Sequence, residues 1–348
     1  MRLLLLALPL LTGCMSFVPA ASEPRAPRPL STEVQARFAY VADLGSTTLV
    51  PDPAWAQDDE LEVSLGTLPI HVPGSAADGD DGSFPVQFEY WRPRACQGGP
   101  CPAVVVTPIL GGGSSLAHTN CEDFARAGYH VVLVSRGTRI LRETWRVEDP
   151  ERWMRKAIAA RRAMLDWLAT RPEVDSRRVA AFGISMGGII TSVLVAAEPR
   201  FRCGVVALAG GDLPGIIACS SEGRIEDFFT AKLKDTGLGP VSLEQRLRAA
   251  MPTDPLRVAQ AVDARRVLQV TTGLDTIVPL EKQLLLWEAL GRPARWHLPA
   301  AGHYSAILWL PWITDRVVEF FAQHLGAPGS PAPEDRRDLA RHEESSRP

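Results

Sequence analysis

Residues 183 to 188 read Gly183-Ile184-Ser185-Met186-Gly187-Gly188, and the reading of the chain turns on them. The residues before them, Arg178 to Gly183, form a mostly apolar run with strand character. The residues after them, Met186 to Ala197, have the composition of a buried helix. A serine between two glycines at a strand-to-helix junction sits on a sharp turn. The glycines leave room for the bend, and Ser185 is forced into a strained conformation that exposes its hydroxyl. The helix N-terminus beneath it favours negative charge developing nearby.

A serine hydroxyl is a weak nucleophile until a base takes its proton and an acid orients that base. Two downstream residues fit these roles. Asp275 lies in Thr272-Gly273-Leu274-Asp275-Thr276-Ile277-Val278-Pro279, just after a strand predicted over Val267 to Thr271. His303 lies in Ala301-Gly302-His303-Tyr304-Ser305, just after a strand predicted over Ala294 to Leu298. Both positions, like Ser185, fall at the C-terminal ends of strands. His303 is expected to exchange the proton, and Asp275 to hold its imidazole in the required tautomer. The plain alternatives are a helix N-cap for Asp275 and a solvated loop residue for His303. Asp212, in Gly210-Gly211-Asp212, is the rival acid. His297, inside a strand, is the rival base.

An oxyanion needs donors. One is expected from the backbone N–H of Met186. The other is expected from the turn after the strand ending at Thr107, which reads Pro108-Ile109-Leu110-Gly111-Gly112-Gly113. Gly111 is the first choice there and Leu110 the second. His118, nearby, reads as a helix-surface residue.

The rest of the pattern sets these residues in a fold. Leu61 to Val72 and Val86 to Trp91 read as two strands of a hairpin around the acidic turn Asp78-Gly79-Asp80-Asp81-Gly82. That turn lacks the spacing of a calcium loop. Continuous apolar strands then alternate with helices: strands at Ala103 to Thr107 and Tyr129 to Ser135, helices at Ser115 to Ala127 and Pro150 to Thr170. Such alternation predicts an α/β fold, a mostly parallel central sheet with helices on both faces. Residues 213 to 263 break it and read as a helical cap insertion over the strand ends. The apolar residues there, Ile216, Ile217, Phe228 and Phe229, lead us to expect a moderately hydrophobic acyl group in the site.

The chain has 348 residues, 46% hydrophobic and 22% charged, with a net charge of -3. That composition supports a sizeable core. It shows none of the basic excess of a nucleic-acid partner. At the N-terminus, Met1-Arg2 precedes an apolar run from Leu3 to Leu11, too short to span a bilayer. The run ends in Leu11-Thr12-Gly13-Cys14, which resembles the lipobox of bacterial lipoproteins. Residues 1–14 are thus expected to be a signal peptide with Cys14 lipidated, and 15–35 a Pro- and Arg-rich tether. The hydrolytic body is expected over 36–325 and a disordered tail over 326–348. Export would put the remaining cysteines in an oxidising compartment. Cys96 and Cys101, across a Gly/Pro loop, can close locally, and Cys203 with Cys219 is a second possible pair.

From about Leu61 to His324 the chain resembles the α/β-hydrolase superfamily. The resemblance rests on the G-I-S-M-G-G turn, the G-G-G loop, the G-L-D-T-I-V-P loop and the A-G-H loop, in that order. The glycine loop is similar to the H-G-G-G loop of lipases and esterases, with Leu110 where their His stands. The S-M-G-G form is reminiscent of the dienelactone-hydrolase-like and prolyl-oligopeptidase-like branches. No propeller-like segment precedes the domain, so a large oligopeptidase is not expected. The resemblance implies a serine hydrolase with no metal and no organic cofactor. The expected reaction is cleavage of a carboxylic ester through an acyl-enzyme, on a small-molecule or acyl substrate, in the bacterial cell envelope at the membrane. Alternatives are a peptidase, a lactone or envelope acyl hydrolase, and a non-catalytic binding lipoprotein.

Overall fold

The computed structural model describes residues 15–75, 81–96, 100–110, 114–135 and 140–328. Eleven strands are described: β1 (Ser16–Val18), β2 (Val41–Ala42), β3 (Thr48–Pro51), β4 (Leu61–His71), β5 (Ser83–Pro93), β6 (Cys101–Thr107), β7 (His130–Val134), β8 (Val174–Ile184), β9 (Phe201–Ala207), β10 (Val267–Thr272) and β11 (Ala294–Leu298). The helices are α1 (Thr32–Arg37), α2 (Ser114–Arg126), α3 (Asp149–Leu168), α4 (Met186–Ala197), α5 (Leu213–Cys219), α6 (Gly223–Thr236), α7 (Pro240–Ala250), α8 (Pro255–Val258), α9 (Leu280–Ala289) and α10 (Leu310–Leu325), with short 3-10 turns between some of them.

The strands form one sheet in the order β1-β11-β10-β9-β8-β6-β7-β5-β4-β2, with β3 paired to β4. From β7 to β11 the neighbours run parallel. The β4–β5 hairpin joins antiparallel to β7, as its alternating pattern predicts. The central strands are continuous apolar runs because helices cover both their faces. Ala103, Val105 and Val179 face a layer that includes α3, α4 and the cap helices. Val104, Val106 and Phe182 face the layer of α2 and α10. In parallel sheets of this kind, ligands bind beyond the carboxyl ends of the strands. β8 lies between β6 and β9, so its C-terminal end falls near the middle of that edge.

The N-terminal segment differs from the tether expectation. Ser16–Val18 pairs antiparallel with β11, and Phe17 stacks on Trp296 at 4.7 Å. Further on, Arg28 N–H donates to the Gln260 carbonyl and Leu30 is buried. A run rich in Pro and Ala carries no strand period of its own. It is ordered here by an open sheet edge with an aromatic to pack against. The tail expectation holds no structural content beyond Gly326–Pro328, since residues 329–348 lie outside the described residues, as do 1–14 with Cys14. No helix among the described residues is long and apolar enough to cross a membrane.

Cys96 and Cys101 form the local disulfide. The second pairing does not exist: Cys203 and Cys219 are both free, as is Cys121. Cys203 is a buried residue of β9 facing the α2–α10 layer, whereas Cys219 ends α5 in the cap and is exposed.

Candidate active site

β8 delivers Ser185 and α4 starts at the next residue. Ser185 has φ 58° and ψ −125°, a region that L-residues rarely occupy. The flanking glycines make this turn possible. A Cβ at Gly183 would stand 2.2 Å from the Gly187 carbonyl oxygen, and one at Gly187 would stand 2.2 Å from the Thr107 carbonyl oxygen. The turn is pinned on the other side by the Ser185 N–H, which donates to Ala207 O at 2.8 Å. Strain at a buried, well-supported serine is a common mark of a functional turn.

β10 and β11 bring the other two residues to the same edge. The Gly273 N–H donates to Leu298 O, and the Leu274 N–H to Ala301 O, so the two loops continue the pairing of their strands. This sets His303 between Asp275 and Ser185. His303 Nδ1 is 2.7 Å from Asp275 Oδ2, and His303 Nε2 is 2.8 Å from Ser185 Oγ. A carboxylate only accepts, so Nδ1 carries the proton and Nε2 is left to accept from the serine hydroxyl. Ser185 and Asp275 are buried, and the His303 side chain is only 9% exposed.

Asp275 is itself held on several sides. Its Oδ1 accepts the N–H groups of Ile277 and Val278, and its Oδ2 accepts the Thr272 hydroxyl at 3.0 Å. Gln283, fully buried on α9, donates to Asp275 Oδ2 and Val278 O while its own Oε1 takes the Thr272 N–H. Sequence reading missed Gln283. Its signal was a polar residue on the inward face of a helix.

Asp212, the rival acid, is engaged elsewhere. It starts α5 with φ 61°, and its carboxylate meets Arg248 and, at 2.8 Å, Lys282. Burial alone would raise this carboxyl, but the hydrogen bonds and charges of Arg248 and Lys282 outweigh it and hold it below its ordinary value. His297 Nδ1 is 3.0 Å from the Thr271 hydroxyl, and burial lowers its imidazole. His118 is half-buried rather than a free surface residue, with Nε2 2.8 Å from Glu89 Oε1.

Met186 is the first residue of α4, and first-turn N–H groups lack partners within a helix. Leu110 is buried, and its carbonyl accepts from Arg224 of α6 at 3.1 Å. Gly111 lies outside the described residues. A cavity of about 330 Å³ opens beside Ser185 and His303. The cap contributes less to it than its sequence promised. Ile216, Ile217, Phe228 and Phe229 are spent on the core, and of residues 213 to 263 only Glu222 lines the cavity. Among the described residues no group of His, Cys, Asp and Glu is placed to hold a metal ion.

Fold and comparisons together define the class: a serine-type hydrolase of the α/β-hydrolase superfamily. Within it, the chain belongs to the prolyl oligopeptidase family, whose model matches residues 115–326. Solved structures share the fold at low identity. An acetyl xylan esterase from a Paenibacillus species superposes with a TM-score of 0.63 at 16% identity, over 84% of this chain and 92% of that one. Acetyl xylan esterase 1 from a Thermoanaerobacterium species gives 0.60 at 17% identity, over 85% and 96%. An acylaminoacyl peptidase from Pyrococcus horikoshii gives 0.55 at 17% identity, over 81% of this chain but 50% of that one. No curated protein matches the chain.

Proposed function

We propose that the chain is a carboxylic-ester hydrolase that works through an acyl-enzyme on Ser185. One observation carries this reading: His303 joins Asp275 and Ser185 through its two ring nitrogens, at 2.7 and 2.8 Å. In the first half-reaction Ser185 Oγ bonds to the ester carbonyl carbon while its proton passes to His303 Nε2. Asp275 steadies the imidazolium without taking that proton. The oxyanion is held by the Met186 N–H and by a donor of the 110–111 turn, Gly111 before Leu110. Collapse breaks the bond to the alcohol oxygen, which leaves with the proton from Nε2. Water then repeats the cycle on the acyl-enzyme, giving the acid and free Ser185. In this reading, Cys14 carries the lipid that holds the protein to a bacterial membrane.

Membership of the prolyl oligopeptidase family favours a second reading, a peptidase. The two are separated by one experiment on the full chain. Ser185→Ala should abolish labelling by a fluorophosphonate probe. It should also lower kcat on a p-nitrophenyl ester by about 10⁶-fold, the scale of losing a nucleophile. Turnover of peptide p-nitroanilides in preference to esters would move the assignment to a peptidase. A protein that neither reacts with the probe nor turns over either class would be a binding module.

A further inference from the structure

We propose that the cavity beside Ser185 takes the unbranched hydrocarbon chain of an acyl group, so that the substrate class is the fatty acyl ester rather than the acetyl ester. The inference rests on the ester-hydrolase reading above. The walls come from four elements packed around the turn. Leu116 projects from α2, Ile184 and Leu208 from the ends of β8 and β9, and Leu310 and Ile313 from α10, with Ile307 nearer the mouth. Among the described residues, the polar side chains on this wall apart from Ser185 and His303 are Ser115, Glu222 and Tyr304. Glu222 is occupied as the cap of α6, its Oε2 accepting the Ile225 N–H. A sugar or a peptide backbone brought here would lose hydrogen bonds to water and find few replacements, which costs free energy for each orphaned group. A hydrocarbon chain loses nothing and gains burial.

The cavity suits the acyl half better than the alcohol half. The acyl group stays bonded to Ser185 while water replaces the alcohol, so it is the part that needs walls. The alcohol leaves beside His303 Nε2, next to an exposed rim where Tyr304 is 71% and Ile307 58% exposed. The volume of about 330 Å³ holds roughly ten methylene-sized groups, taking about 30 Å³ for a group the size of water.

The test is kcat/KM of the full chain on p-nitrophenyl acetate, butyrate, hexanoate, octanoate and dodecanoate. Each buried methylene should raise it about fourfold. The rise should run through about eight carbons and be flat by about twelve, as the volume dictates. Leu116→Trp, which fills part of the cavity from a half-buried position, should stop the rise near about four carbons. Should that variant fail to fold, alkyl fluorophosphonates on the unmodified protein give the same reading: labelling of Ser185 should speed up with alkyl length. A flat or falling acyl series, with acetate turned over and Ser185 labelled, overturns the inference and leaves the ester-hydrolase reading standing. A rise seen only with acetates of longer alcohols overturns it too, because the chain then sits on the leaving side. No reaction with any ester or probe overturns the parent reading and this inference with it.

Discussion

Two buried carboxylates stand at the same edge of the sheet, one strand apart, and they are held in opposite ways. Asp212 follows β9 and is met by two cations, Arg248 and Lys282. Asp275 follows β10 and is met by hydroxyl, amide and backbone N–H groups, with His303 as its titratable partner. Adjacent residues of α9 serve both: Lys282 reaches Asp212 and Gln283 reaches Asp275. Fixed cations lock a carboxylate into a structural role. Neutral donors leave its charge available to an imidazole that would gain a proton in the proposed reaction. The chemical nature of the neighbours therefore separates the two carboxylates more clearly than burial does, since both are buried.

Exchanging each carboxylate for its amide breaks the comparison most sharply. Asp275→Asn should lower kcat by about 10⁴-fold, because the amide no longer favours the Nδ1–H tautomer. Stability should fall by only about 1 kcal/mol, since the amide oxygen still accepts from Ile277 and Val278. Esterase kinetics and a urea titration read the two effects apart. Asp212→Asn should do the reverse. Activity should stay within about threefold while unfolding free energy falls by about 2 kcal/mol. That figure is below the 3–5 kcal/mol of a fully buried pair, because Arg248 reaches solvent and only Lys282, 15% exposed, is left stranded. Equal losses of activity in the two variants would erase the distinction. The smallest effect sharpens it by pH. The Asp212 carboxyl is held below its ordinary value of about 3.9 in the folded protein. Its contribution is therefore complete above that value and is lost as pH falls through the lower, folded one. Acid unfolding below about pH 4 should be steeper in the parent than in Asp212→Asn, followed by tryptophan fluorescence.

Much of this was legible in the sequence, for particular reasons. The turn at Ser185 could be read because it rests on backbone sterics, and only glycine fits at positions 183 and 187. Asp275 and His303 could be read because each follows a strand in a parallel sheet, which fixes where its loop emerges. What was missed depends on how the elements pack against one another. Gln283 declares itself only once α9 packs under the Asp275 loop. The cap's apolar residues were assigned to the site, yet they complete the core, because hydrophobicity does not say which of two apolar environments a side chain will fill. The order of residues 16–18 was invisible because it is supplied by the edge of β11, about 280 residues away by number.

That short first strand has a consequence for posture. Ser16 pairs with His297, toward the C-terminal end of β11, and Val18 with Arg295 at the other. The chain thus enters the sheet at the edge where Ser185 and His303 also lie. Only Met15 separates Ser16 from Cys14, a reach of about 7 Å at full extension. With lipid on Cys14, the protein would hang from the bilayer as on a hinge pin rather than a leash, its catalytic mouth and its anchor on the same rim. Esters dissolved in the membrane would then lie closer to hand than those in the surrounding water.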